Sequence, residues 1–294
     1  MSVTQIVEFG DSAWRSDGDT AATHGVEQLL EQGDVLCFPR LAFELSDAER
    51  RLLDPQLGDG KAKNISLRGG SGELRGAVND AADLALLQSM VARFRDGAGA
   101  LVDRLFPHYR GRLRLENTSY RPYAVQGRAS SWRKDDSRLH VDAFPSNPSG
   151  GERLLRVFCN INPRGEPRVW RVGEHFADFA GRHAGRIPRP LPGSAALLHR
   201  LRVTKRRRSE YDHYMLQLHD RAKADAQWQR DSPQQTVNFA PGCTWVVFSD
   251  QMLHAAMGGQ FMMEQTLRLQ GSDLLRPELA PLAVLQRLTG RTLV

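Results

Sequence analysis

Apolar and polar positions alternate along much of the second half of this 294-residue chain. From Leu154 to Ile161, Leu155, Val157, Cys159 and Ile161 fall on one side and Arg156, Phe158 and Asn160 on the other, the period of two that a strand requires. Cys243 to Asp250 reads as a buried strand, and Met252 to Met257 leads into the pair Gly258-Gly259. A further run from Phe261 to Leu269 follows at once, so the last two runs are predicted to form a hairpin with His254 near its middle. On that final run Met262, Glu264, Thr266 and Arg268 share one face, and Met263, Leu267 and Leu269 share the other.

Helical spacing governs the rest. Thr23 to Gln32 reads as a helix stopped by Gly33, Val35 to Phe38 as a strand closed by Pro39, and Ser46-Asp47-Ala48-Glu49 as a capping box. Residues 55–76, rich in glycine and charge, are expected to be a loop. Ala82, Leu86, Met90 and Phe94 begin a helical stripe that runs to Phe106 with an interruption near Gly97 and Gly99, and Tyr211 to Ala226 is a second helix. The expected fold class is mainly β with flanking helices (α+β). Core strands occupy about 110–172 and 236–270, a charged helical insertion about 173–232, and a helical support 1–109, within one domain of residues 1–294.

Chemistry concentrates at His140-Val141-Asp142. In extended backbone, residues two apart point the same way, so His140 and Asp142 can grip one metal, with His254 as a third ligand. Two imidazoles and a carboxylate on one face of an octahedral ion leave three positions open, the arrangement of non-haem iron oxygenases. Arg268 shares a polar face and suits a bidentate contact to a cosubstrate carboxylate; Arg156 and Asn160, on the polar face of their own strand, are further cofactor-binding candidates. Two other classes use the same features. A zinc-dependent hydrolase takes the same ligands with a metal-activated water, and a basic nucleic-acid-binding protein would use the cations alone, although no zinc-finger, helix-turn-helix or aromatic RNP-like signature accompanies them. Among the nine histidines, His213 and His219 lie six apart on a helix and so on opposite sides, and His24, His108, His175, His183 and His199 lack a partner at useful spacing.

Forty Lys and Arg against thirty-four Asp and Glu give a net charge of +6, and the run from His199 to Arg208 is the densest cationic stretch, which favours an anionic ligand. Hydrophobic residues make up 40% of the chain, ample for a core. Cys37, Cys159 and Cys243 lie in apolar runs and read as reduced core residues. With no leader-like N-terminus and no run of eighteen apolar residues, the protein is expected in the cytoplasm.

These residues resemble the iron- and 2-oxoglutarate-dependent dioxygenases and, within them, the Kdo hydroxylases. The likeness is carried by Tyr120-Arg121-Pro122-Tyr123, Gly127-Arg128, Asp135 to Ser146 around His140 and Asp142, Arg153 to Pro163, and Pro167 to Glu174, and extends over about 110–275. It implies a double-stranded β-helix (jelly-roll) core, Fe(II), 2-oxoglutarate and O2, and hydroxylation at C3 of Kdo in a Kdo-containing lipid A precursor to give Ko. It also implies His140, Asp142 and His254 as metal ligands and Arg268 at the cosubstrate. Arg121, Tyr123, Arg128 and Arg133 are then substrate candidates, and Tyr123 and Trp132 could pack on the sugar ring. A lipid-borne substrate implies peripheral contact with the inner membrane and no nucleic-acid partner.

Overall fold

The computed structural model describes residues 3–15, 25–127 and 131–294. In chain order β1 (Ile6–Glu8), α1 (Val26–Gln32), β2 (Val35–Phe38), α2 (Asp47–Arg50), β3 (Ile65–Leu67), β4 (Leu74–Arg75) and α3 (Ala81–Leu105) precede β5 (Arg114–Arg121). Then come β6 (Arg153–Asn160), β7 (Arg168–His175), α4 (Phe176–His183), α5 (Ser194–Arg200), α6 (Glu210–Ala224) and α7 (Ala226–Asp231). The chain closes with β8 (Gln234–Phe239), β9 (Thr244–Phe248), β10 (Met252–Gly258), β11 (Met262–Leu269) and α8 (Pro281–Thr289).

Two sheets result, one in the order β1-β2-β9-β6-β11-β5-β3-β4 and one in the order β10-β7-β8. The period of two decides what lies between them. Leu155, Val157 and Cys159 of β6 and Met263 and Leu267 of β11 face α3, whose Leu87, Met90, Val91, Phe94, Leu101 and Val102 cover that side of the large sheet. Phe158, Met262 and Trp245, on the opposite face, meet Trp170, Val172 and Phe239 of the small sheet. Trp245 stacks on Phe239 with ring centroids 4.1 Å apart and on Phe158 at 5.3 Å. A third cluster, from α4, α6 and α8, packs Phe176, Phe179, Tyr211, Met215, Leu218 and Leu285 against Val141 and Leu253.

Several expectations hold. Ser46 and Glu49 form the capping box of α2, Gly33 ends α1 in a left-handed conformation (φ 99°), and the three cysteines are buried and free. Cys37 and Cys243, far apart in sequence, place their sulfurs 3.5 Å apart across β2 and β9. The expected helix start at Thr23 lies outside the described residues.

Three expectations need correction. The predicted hairpin does not form: β10 pairs with β7 in the small sheet, whereas β11 pairs with β5 and β6 in the large one. The glycine pair carries the chain from one sheet to the other. Gly259 adopts φ 99°, and a Cβ there would sit 2.7 Å from the carbonyl oxygen of Pro167, so this crossing requires glycine. Residues 55–76, expected to be a loop, supply β3 and β4, and β3 pairs with β5; strands this short carry too little alternation to be read. Finally, α3 runs without interruption through Gly97 and Gly99. Two glycines cost roughly 2 kcal/mol in a helix, less than the burial of its apolar stripe returns. A Cβ on Gly97 would lie in ordinary contact with the Trp14 ring, at 3.6 Å. Gly97→Ala should therefore raise stability by about 0.5–1 kcal/mol, measured as a later urea midpoint at unchanged slope; a lower midpoint would contradict this packing.

Candidate metal centre and its cation-lined chamber

His140 sits in extended backbone as an isolated bridge to His254, with reciprocal hydrogen bonds from His140 N to His254 O (3.0 Å) and from His254 N to His140 O (2.9 Å). Asp142 N then donates to Ser249 O at 2.9 Å. Alternation follows: Val141 turns into the helical cluster, while His140 and Asp142 turn inward toward His254. One ligand atom from each of the three residues lies within 4.8 Å of the others. On β10, Met252 opposes His175 while His254 opposes Val172, so the ladder shifts register beside the site, a device that re-aims a side chain.

Backbone carbonyls fix both imidazoles. His140 Nδ1 bonds Arg138 O at 2.7 Å and His254 Nδ1 bonds Met252 O at 2.9 Å, which leaves each Nε2 as the inward donor. Burial pushes the His140 pKa well below the ordinary range, and the adjacent His254 adds to that; burial also lowers His254. For Asp142 burial would raise the pKa, but Arg156, His254 and His140 outweigh it and hold the carboxyl well below the usual range. Neutral imidazoles beside an ionised carboxylate are the protonation states that metal ligation needs.

Around this cluster is a chamber of about 220 Å³ whose lining includes Phe144, Arg156, Phe158, Arg168, Trp170 and Met262. It shares Lys63, Asn64, Arg121, Asp136 and Arg168 with an outer cavity of about 670 Å³ that Tyr123, Lys134 and Met257 also line. Inside, charges alternate. Arg121 donates to Glu264 at 2.5 and 2.8 Å, Arg156 meets the other Glu264 oxygen at 2.9 Å, and Arg156 also reaches Asp142 at 3.3 Å. Burial works against the Glu264 charge, but Arg121 and Arg156 lower its pKa nonetheless. Lys63 pairs with Asp136 at 2.6 Å, and with Arg121 it brings that carboxyl to about 2 against the effect of burial. Arg168 stands apart. It is 4% exposed, and among the described residues it makes no ion pair, one nitrogen donates to Gly259 O at 3.0 Å, and Nε has no hydrogen-bond partner. Burial, with Arg121 nearby, lowers its pKa to about 9. Trp170 stacks on His254 at 5.2 Å with its Nε1 likewise unpartnered among the described residues.

The other sequence-derived candidates divide. Arg156, Arg121 and Tyr123 line the two cavities. Arg268 does not: it lies on the same face of β11 as Glu264 but four residues further, roughly 13 Å along a strand, and its guanidinium is taken by Glu116 and Glu152, each at 3.0 Å. Asn160 is also a correction, since its amide donates to Glu166 O and Phe239 O and its oxygen accepts from Asn162 N. Arg133 is exposed, paired with Asp220 at 2.9 Å and laid over the Trp132 ring at 4.0 Å. Arg128 lies outside the described residues. His213 and His219 do diverge, His213 bonding Pro188 O, but His219 packs edge-on against His140 at 5.3 Å. Sequence reading missed Arg168, Trp170, Glu264 and Lys63. Arg168, Trp170 and Val172 alternate along β7 as Arg156 and Phe158 do along β6, a signal available but unused; Lys63 sits in the glycine-rich segment, where no period points inward.

A β-sandwich enclosing two neutral imidazoles and a carboxylate beside buried cations defines a mononuclear metal oxygenase that takes a small anionic cosubstrate. The family model for 3-deoxy-D-manno-oct-2-ulosonic acid (Kdo) hydroxylase matches residues 13–292, and the chain belongs to that family. It is similar to the Kdo hydroxylase KdoO, a non-haem Fe(II) and α-ketoglutarate (2-oxoglutarate) dependent dioxygenase. Against that protein with α-ketoglutarate and Fe(III) it is 43% identical, covering 99% of this chain and 98% of the other, with a TM-score of 0.95. The cobalt(II) complex gives 45% identity, 98% and 97% coverage and a TM-score of 0.95; the apo form gives 44%, 99%, 98% and 0.96. No curated protein matches the chain. The enzyme is thus an Fe(II)- and 2-oxoglutarate-dependent dioxygenase acting as a Kdo hydroxylase, which sets aside the zinc-hydrolase and nucleic-acid readings.

Glu264 is 3% exposed and neutralises two arginines. Glu264→Ala should cost about 3–5 kcal/mol in chemical denaturation, because the buried Arg156 and the half-buried Arg121 lose their shared partner, whereas removing the exposed Glu278 beside Arg276 should stay within about 1 kcal/mol. Equal small effects would contradict the charge arrangement described.

Proposed function

We propose that residues 1–294 act as one dioxygenase domain with a double-stranded β-helix core, in which His140, Asp142 and His254 hold Fe(II), and that the enzyme hydroxylates C3 of Kdo in a Kdo-containing lipid A precursor to give Ko. The observation that carries this reading is Arg168. A buried arginine that forms no ion pair among the described residues, and whose burial Asp136 and Glu264 offset only in part, costs several kcal/mol unless an anion completes it, and it opens on the chamber of the triad. A carboxylate of 2-oxoglutarate suits that place, with the Trp170 indole N–H as a further unpartnered donor. The donor set fits iron as well: two imidazole Nε2 atoms and one ionised carboxylate.

When bound, the metal and cosubstrate supply oxidation of an unactivated C–H bond with O2. This chain's residues bind, orient and exclude. Phe144, Phe158 and Met262 line the inner chamber and limit water. Arg156 and Glu264 fix Asp142 from behind, so one carboxylate oxygen is directed by an arginine and the other lies 3.7 Å from His140 Nε2. In the outer cavity Tyr123 and the ion pairs of Arg121 with Glu264 and Lys63 with Asp136 border a volume suited to a sugar acid, whose hydroxyls and carboxylate can bond their remaining N–H groups. Among the described residues no helix is long and apolar enough to cross a membrane. We place the meeting with the lipid-borne substrate at the cytoplasmic face of the inner membrane, by peripheral association, with the cations of the Arg200 to Arg208 run attracted to anionic headgroups.

The test is expression in cells making Kdo-lipid A, with the inner-core sugar analysed by mass spectrometry. Kdo should gain one oxygen atom with the parent chain and none with a folded His140→Ala variant. The same gain with the variant, or no gain from iron-loaded protein that still turns over 2-oxoglutarate, would overturn the assignment.

A further inference from the structure

Between α4 and α6 the chain presents a surface unlike the rest of the molecule. Leu191, Leu197, Leu201 and Val203 are 78%, 57%, 62% and 51% exposed, and they lie within thirteen residues of one another. Scattered exposed leucines need no explanation, but four large apolar side chains exposed within one thirteen-residue stretch mark an interaction site. The charge around them is one-sided. From residue 179 to residue 209 the sequence holds no Asp or Glu, and among the described residues Arg189, Arg200, Arg202, Lys205 and Arg207 form no ion pair. Helix α5 ends in a turn in which Val203 N bonds Leu198 O and Arg202 N bonds His199 O, with Arg202 at φ 56°. That left-handed position favours glycine; here it carries a cation and turns Leu201 and Val203 back beside α5.

Accepting the lipid-borne substrate proposed above, we infer that Leu191, Leu197, Leu201 and Val203 insert into the interfacial layer of an anionic bilayer while the surrounding arginines engage its headgroups. Amphipathic surfaces of this kind bind membranes through apolar area and charge together, and each basic side chain near an anionic surface raises partitioning roughly five-fold. The alternatives fit less well. A second copy on a two-fold axis would bring the cation ring against itself, and nucleic acid would use the arginines but leave the leucines in water. The surface is also tied to the site: Lys205 N donates to Ser146 O at 2.9 Å and Arg208 to Pro145 O at 2.6 Å, on the loop that leaves Asp142 and carries Phe144 into the inner chamber.

The experiment sediments the full chain with vesicles of phosphatidylcholine alone or mixed with phosphatidylglycerol, comparing the parent with Leu191→Ser/Leu197→Ser, two exposed changes outside the basic run. Hydroxylation is assayed in parallel on a Kdo oligosaccharide without acyl chains and on Kdo-lipid in vesicles. Expected are binding to the anionic vesicles only, at least a ten-fold weaker binding by the double variant, unchanged turnover of the oligosaccharide, and a matching loss on the vesicle substrate. Equal vesicle binding by parent and variant overturns the inference, as does absence of binding to either vesicle, or a parent dimer that the variant dissolves, or duplex DNA competing away the vesicles. Failure of the hydroxylase reading is separately visible, since it removes oligosaccharide turnover from the parent and leaves vesicle binding intact.

Discussion

Four charges in alternation, Arg121, Glu264, Arg156 and Asp142, the middle two buried and the outer two half-buried, hold this site together. None is affordable alone at such depth, because an isolated ion would shift its pKa and neutralise. Linked in series, each satisfies its neighbour, and the chain ends on the one carboxylate that faces two imidazoles. That sequence of pairings spends Arg121 and Arg156 on protein carboxylates and leaves Arg168 as the surplus cation, so the same arrangement that orients Asp142 also makes a place for an anion.

The fold serves this arrangement by bringing four strands from two sheets to one chamber. Phe158 and Arg156 come from β6, Met262 from β11, Trp170 and Arg168 from β7, and His254 from β10, with Glu264 of β11 holding Arg156. Because β10 and β11 part company at Gly258-Gly259 rather than forming a hairpin, consecutive stretches of chain face each other across the sandwich. A hairpin would put His254 and Met262 in one sheet; the crossing puts them on walls from different sheets. Helices α4, α6 and α8 then back the segment 139–142 by burying Val141, which fixes the direction of His140 and Asp142 on either side of it.

How far the sequence alone leads depends on the range of each signal. Alternation along 154–161 and 261–269 is local, and it assigned the faces of Leu155, Val157, Met263 and Leu267 as the structure has them. The two-residue spacing of His140 and Asp142 is equally local and brought them to one side, next to His254. Strand pairing and distance along a strand are not local. Arg268 has the correct face but the wrong depth, since the alternation repeats every two residues and does not say which repeat lies beside His140, Asp142 and His254. Asn160 shows the same limit: it sits at the end of β6 and closes the following turn. Lys63 could not be found at all, because it reaches the chamber through the pairing of β3 with β5, and a three-residue strand leaves no readable period.

The measurement that bears most directly on the central claim is an anaerobic titration of the iron-loaded enzyme with 2-oxoglutarate, followed by the weak visible charge-transfer absorption of the iron and keto-acid complex. It should be run on the parent, Arg168→Gln and Arg268→Gln. If the surplus cation of the chamber receives the cosubstrate, half-saturation rises roughly 30-fold or more for Arg168→Gln, the loss expected for a buried charge-assisted contact, and stays near the parent value for Arg268→Gln. An unchanged half-saturation for Arg168→Gln with a large rise for Arg268→Gln would contradict the account.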